Sequence, residues 1–180
     1  SSTLHLHLGA YKTGSKAIQH FLADNEVLLG DIGLVYARTG RDNGLNHRPL
    51  SVGISPELLD GLTAEIAQNP GLILSHEQLF TLSSKDIEKL AGLADRVRVC
   101  LFHREAEEWI NSVFSQMIKA HLISIDEIER FSFEDSVVAD CVSFRRHLDR
   151  WEEVVPGISV DVLYYEKGRD VRLAFAGWLG

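Results

Sequence analysis

The sequence predicts an α/β fold: a three-layer sandwich with a central, mostly parallel sheet of four to five strands flanked by helices. Three observations point there. Short apolar or alternating runs of strand length recur along the 180-residue chain, with helix-length amphipathic stretches between them, an order that favours a parallel sheet with helical crossovers. The four prolines, at 49, 56, 70 and 156, all fall at element edges. No internal repeat, low-complexity tract or linker divides the chain, so residues 1–180 read as a single domain long enough to bury a real core.

The elements follow in order. Residues 3–8, TLHLHL, alternate strictly and put Leu4, Leu6 and Leu8 on one strand face. Residues 15–29 carry apolar positions 17, 18, 21, 22, 28 and 29, a helical stripe. GLVYAR (33–38) has the length of a short strand, and TGRDNGLNHR (39–48) is a polar, glycine-rich loop. Ser55-Pro56-Glu57 is a helix start, with an N-cap serine before proline, and that helix ends before Pro70. GLILS (71–75) is a buried strand, and Ser83 with Asp86 is a capping pair for a helix to about Ala94. RVRVCLF (96–102) is the next strand; after it, apolar residues at 106, 109, 110, 113, 114, 117 and 118 mark the strongest helix. Residues 137–154 have a helical pattern, ISVDVLYY (158–165) is a strand, and a last helix begins near 169.

Bulk properties narrow the function. A net charge of −8 argues against a nucleic-acid surface, yet a small anionic ligand needs only a few local cations. Two cysteines, Cys100 and Cys141, are too few for a disulfide framework, and Cys100 in its strand pattern reads as a buried, inert thiol. No apolar run approaches the ~20 residues of a membrane span, and no signal-peptide pattern opens the chain; the expected location is cytoplasmic. Ser1 stands first in place of Met, so removal of a preceding anchor or tag is left open. Eight histidines occur without H-x-x-x-H or C-x-x-C spacing, so no zinc site is expected.

The chemistry should cluster at the strand C-termini, where open α/β sheets bind ligands. HLGAYKTGSKAIQHFL (7–22) joins a strand, a glycine loop and a helix, an arrangement that offers a helix N-terminus to an oxyanion. Gly9 and Gly14 let backbone N–H groups turn toward it, Lys12 adds a point charge, and Thr13 and Ser15 add hydroxyls. A nucleotide-triphosphate loop reads G-x-x-x-x-G-K-[ST]; here Ser15 and Lys16 follow Gly14 in swapped order. Metal-dependent phosphoryl transfer also calls for an Asp at a neighbouring strand end. The strands instead end in LILSHE, VCLFHRE and VLYYEK, where Glu77 and Glu166 come closest. A sulfuryl group carries one negative charge less than a terminal phosphoryl group, so a lysine and several N–H groups could stabilise its transfer without a metal.

These residues carry a resemblance. GAYKTGSKAIQHFL resembles the 5′-phosphosulfate loop, K-T-G-[ST]-[ST], of the sulfotransferases that use 3′-phosphoadenosine 5′-phosphosulfate (PAPS), with Lys12, Thr13, Gly14 and Ser15 in register. Lys16 departs from it, placing a charge where the family has a hydroxyl. The family's second signature is an Arg at a strand end with a Ser eight residues later; CLFHREAEEWINS supplies Arg104 and Ser112. Taken alone, Arg104 reads more readily as one half of a surface ion pair with Glu108 at i+4, since such pairs are common on helices. GLVYARTGRDNGLNHRPL, LILSHEQLF and VDVLYYEK resemble further stretches of bacterial-type members, so the likeness spans roughly residues 3–167.

The resemblance implies a P-loop-like fold and transfer of a sulfuryl group by in-line displacement to a hydroxyl or amine of a small-molecule or carbohydrate acceptor. It implies PAPS as donor and no metal, with the 5′-phosphosulfate held by Lys12, Thr13, Gly14, Ser15 and Lys16 and the 3′-phosphate by Arg104 and Ser112. Lys12 would also meet the departing phosphate. The family often continues into a loop over the adenine, so a C-terminal lid segment is expected to be missing at Gly180. For the base that takes the acceptor proton, Glu77 and His47 rank together, ahead of His7, whose strand face implies packing. Two other classes stay open: a metal-dependent small-molecule kinase built on the same loop, and a module that binds a nucleotide without turning it over.

Overall fold

The computed structural model of the chain describes residues 1–9, 13–104 and 144–180, together with residues 115, 118 and 119. Five strands form one sheet: β1 (Thr3–Gly9), β2 (Val35–Tyr36), β3 (Gly71–Ser75), β4 (Arg96–His103) and β5 (Ser159–Tyr164). Their order is β2-β3-β1-β4-β5, and every pairing is parallel. The expected α/β sandwich is therefore found, with a sheet that is wholly rather than mostly parallel among the described residues.

The helices are α1 (Ser15–Asp24), α2 (Glu26–Asp31), α3 (Arg48–Ser51), α4 (Pro56–Gln68), α5 (Ser84–Ala91), α6 (Phe144–Val154) and α7 (Val171–Leu179), with a 3₁₀ turn at Glu77–Thr81. They form a layer on each face. Leu4, Leu6 and Leu8 of β1 are fully buried on one side, where Leu62 of α4, Leu90 of α5 and Trp151 of α6 meet them in a single core. On the other side Ile18 and Leu22 of α1, Leu29 of α2 and Phe175 of α7 close over Ile73, Cys100 and Phe102. Burying a side chain of this size contributes roughly 1.5–3 kcal/mol, so the strict leucine alternation of β1 both selects its strand state and fixes which face meets which layer. The Cys100 thiol lies in the second core, and burial pushes it up to about 12, as expected for an inert group.

Local signals set the helix ends. Ser55 and Ser83 accept the backbone N–H groups of Leu58 and Asp86, as their N-cap positions predict. Asp170 does the same for Arg172 at α7. The stripe over 15–29, expected as one helix, is two. Asn25 stands between α1 and α2, and its Nδ2 donates to the Phe21 carbonyl at 2.7 Å, a side-chain bond that competes with continuation of the helix. The strand expected at 33–38 shortens to β2, and α3 occupies the end of the expected 39–48 loop. Of the strongest expected helix only residues 115 and 118 are described, and both are helical. Residues 137–143 of the expected 137–154 helix lie outside the described residues. Among the described residues no helix is long and apolar enough to cross a membrane.

A parallel sheet sends all its strand C-termini to one edge. The chain fills the β3 and β2 side of β1 first and the β4 and β5 side afterwards, so the order reverses around β1. That switch point, at Gly9, is where such sheets open a crevice.

Candidate functional site

Gly9 ends β1, and three side chains crowd it. A Cβ at this position would lie 3.3 Å from both the Thr13 and Ser15 hydroxyl oxygens and 3.7 Å from Cβ of Glu77. A side chain here would press on both hydroxyls, which would have to give by a few tenths of an ångström. Gly14 makes the turn into α1 with φ 79°, the left-handed region, and a Cβ there would come 2.9 Å from a methyl of Val171 at the start of α7. Glycine is thus required twice over.

α1 opens without a side-chain cap and without an acidic residue in its first turn. Among the described residues, then, no side chain caps its first N–H groups and no acidic residue offsets its dipole at that end. Thr13 is fully buried and Ser15 nearly so, while Lys16 is exposed. The Ser15 hydroxyl oxygen is buried and has no hydrogen-bond partner among the described residues. A hydroxyl left so is costly unless a ligand satisfies it. Lys12 lies outside the described residues.

Glu77 follows β3 and opens the 3₁₀ turn, with its side chain about a quarter exposed (24%). Gln19, a buried amide on α1, donates to Oε2 at 3.4 Å. On the other side His76 Nε2 lies 3.8 Å from Oε1. His76 Nδ1 accepts the Gln78 N–H, so its proton sits on Nε2, toward Glu77. Burial lowers the His76 pKa, against the upward pull of the Glu77 carboxylate. Glu77 thus stands beside the loop with an open side and two nitrogen neighbours, where a carboxylate can take a proton.

The polar 39–48 loop makes His47 an exposed base candidate, and the structure corrects this. Its ring is fully buried. Nδ1 accepts the Ser75 N–H at 3.0 Å, so Nε2–H donates to the Ala37 carbonyl at 2.9 Å. The His47 N–H in turn donates to the Ser75 carbonyl. Burial brings the ring down to about 4. With both nitrogens taken by backbone, His47 is a strut that ties its loop to β2 and β3, and it has no site left for a substrate proton. His7 is packed, as its strand face implies: it lies between Phe102 and Phe175, and Nδ1 shares a 2.7 Å hydrogen bond with the Ser75 hydroxyl. Burial, with a smaller effect from His76, brings it down to about 3. Of the three base candidates, Glu77 alone reaches the crevice.

Arg104 leaves β4 beside this crevice. Gly9 is the register partner of Phe102, so Arg104 starts only two residues beyond the level of Gly9 on the adjacent strand. It is half-buried, and its guanidinium carbon lies 4.9 Å from the Tyr165 ring centroid. Ser112 lies outside the described residues. Among the described residues, no group of three or more His, Cys, Asp or Glu side chains is placed to share a metal ion.

Sequence reasoning did not find Gln19, Ser75 or Tyr165. Gln19 carried a signal, being polar beside the Ile18 and Leu22 stripe of a helix that packs on the sheet. Ser75 and Tyr165 act through partners 28 to 68 residues distant or on a neighbouring strand, and no local pattern marks them. No protein-family model matches the chain, and no curated protein matches it in sequence.

Proposed function

We propose that the chain is a sulfotransferase that passes a sulfuryl group from PAPS to a hydroxyl or amine of a small-molecule or carbohydrate acceptor. One observation carries this reading. Over Gly9 stand an uncapped helix N-terminus and a buried Ser15 hydroxyl, unpartnered among the described residues, and Glu77 borders the same glycine through its Cβ. Helix N–H groups and a hydroxyl are donors that take an oxyanion. A carboxylate at the same point has a separate task, because a transferable group needs a proton acceptor beside it.

PAPS would supply the sulfuryl group and an adenosine bisphosphate that departs. The N–H groups of residues 13–16 and the hydroxyls of Thr13 and Ser15 hold the 5′ end, and Lys12 and Lys16 add positive charge there. Arg104 grips the 3′-phosphate with its planar fork, together with Ser112. Glu77 takes the proton of the incoming acceptor, and Gln19 holds its second oxygen. Catalysis is then mainly positioning and charge stabilisation, on a fold that this reading makes P-loop-like.

Calorimetry with adenosine 3′,5′-bisphosphate in the absence of magnesium tests the reading. Binding is expected, and Arg104→Ala should weaken it by about 1.5–3 kcal/mol, the usual loss for a hydrogen bond to a charged group. Lys12→Ala should abolish transfer while weakening the product only in part. Binding that requires ATP and magnesium would replace the sulfotransferase with a kinase. Tight bisphosphate binding without transfer to any of a panel of hydroxyl and amine acceptors would leave a nucleotide-binding module.

A further inference from the structure

His76 stands between the end of β3 and Glu77, and its ring is held from several sides. Its backbone N–H donates to the His7 carbonyl at 3.2 Å. Its Nδ1 accepts the Gln78 N–H at 3.2 Å. The other ring nitrogen, Nε2, carries the proton and lies 3.8 Å from Oε1 of Glu77. The side chain is buried, so the ring keeps this orientation and this tautomer.

The tautomer limits what the ring can do. A second proton on Nδ1 would face the Gln78 N–H, donor against donor. The surroundings oppose that cation as well. The His47 N–H donates to the Ser75 carbonyl, so Arg48 of α3 and His76 each lie one residue beyond a paired position. Burial and the Arg48 guanidinium lower the His76 pKa, while the Glu77 carboxylate pulls it upward. His7 of β1, a further titratable neighbour, is itself kept neutral by burial. His76 is therefore a fixed, neutral donor.

The Glu77 carboxylate thus has a nitrogen beside each oxygen, Gln19 at Oε2 and His76 at Oε1. Both approaches are long, as catalytic hydrogen bonds often are before substrate tightens them. A carboxylate oxygen has two lone pairs, so Oε1 can face the His76 N–H and still take a proton.

We propose that His76 is the positioning residue for Glu77, its Nε2–H holding Oε1 so that the carboxylate faces the acceptor hydroxyl or amine. The inference rests on the reading of Glu77 as the base. His76 itself neither gains nor loses a proton during transfer.

The test joins NMR of protein labelled with ¹⁵N at histidine to kinetics. His76 should show the Nε2–H tautomer at pH 7.5 and take up its proton below the ordinary 6.5. Glu77→Gln should move that uptake to still lower pH, and Arg48→Gln should move it up. In transfer from PAPS to a panel of hydroxyl and amine acceptors, His76→Leu should lower kcat about ten- to hundred-fold, with the affinity for adenosine 3′,5′-bisphosphate unchanged. His76→Gln, whose amide reaches the position of Nε2–H, should recover part of the loss. A purely structural role would move affinity and kcat together and would not be rescued by the amide. If His76→Leu does not fold, the NMR arms decide. An Nδ1–H tautomer, a titration indifferent to Glu77→Gln, or a folded His76→Leu with wild-type kcat overturns the role of His76 and leaves the sulfotransferase reading standing. A wild type that transfers to no acceptor overturns both.

Discussion

The two faces of β1 are built from different materials. Leu4, Leu6 and Leu8 enter a core of aliphatic side chains with Trp151 as its largest member. His5 and His7, one residue out of phase, enter an aromatic cluster with polar atoms inside it. The leucine face can be satisfied by many apolar sets of the right volume. The histidine face needs particular partners at particular distances, and it is the one that leads through Ser75 to the struts under the crevice. One strand therefore carries bulk stability on one side and positional accuracy on the other.

Acid should separate the faces most sharply. Burial holds His7 at about 3 and His47 at about 4, against an ordinary value of 6.5. The unfolded chain takes up these protons first, so the stability they contribute is complete above about pH 6.5 and is lost progressively toward those lower values. The urea midpoint should fall steadily between pH 6.5 and 5, and His7→Phe should flatten the fall. A profile level down to pH 5 would mean that these rings are not buried as neutral groups. Next in size, Leu6→Ala should cost about 2–5 kcal/mol in urea unfolding at pH 7 while leaving the shape of the pH profile intact; a changed profile would show that the faces are not independent.

His47→Leu should cost about 1–3 kcal/mol, because it strands the buried Ser75 N–H and the Ala37 carbonyl. If His47 is only a strut, any change in nucleotide affinity should disappear when the loop is held by other means, such as a stabilising osmolyte. The smallest effect is expected at the α1–α2 junction, where Asn25→Ala removes the bond to Phe21 and should cost about 0.5–1.5 kcal/mol without touching either face.

What the sequence made legible follows from range. The leucine alternation, the serine caps at 55 and 83 and the strand–glycine–helix passage from Gly9 to Ser15 are written within a few residues of one another, and the folded chain has each where local rules put it. The break at Asn25 was hidden because the apolar stripe runs past it. The burial of His47 was hidden more deeply, since a polar loop looks exposed until Ser75 of β3, 28 residues on, and Ala37, 10 residues back, supply the backbone groups that fill its ring. The approach of Glu77 to Gly9 was suggested only by its place after a strand. The stacking of Tyr165 on Arg104 depends on the β4–β5 register, which no motif encodes.

The position of β1 at the middle of the sheet also governs when the crevice can exist. Its neighbours are β3 and β4; the His7–Ser75 bond spans 68 residues, and the Ser2–Asp95 bond at its start spans 93. One edge of β1 thus stays unpaired until β3 has been made and the other until β4 has, and ladders between such distant segments close slowly. The turn at Gly9, although encoded near the beginning of the chain, is among the last parts to take shape. A nascent chain halted before β4 would carry every residue from Thr13 to Glu77 and still lack the central strand's second neighbour and Arg104.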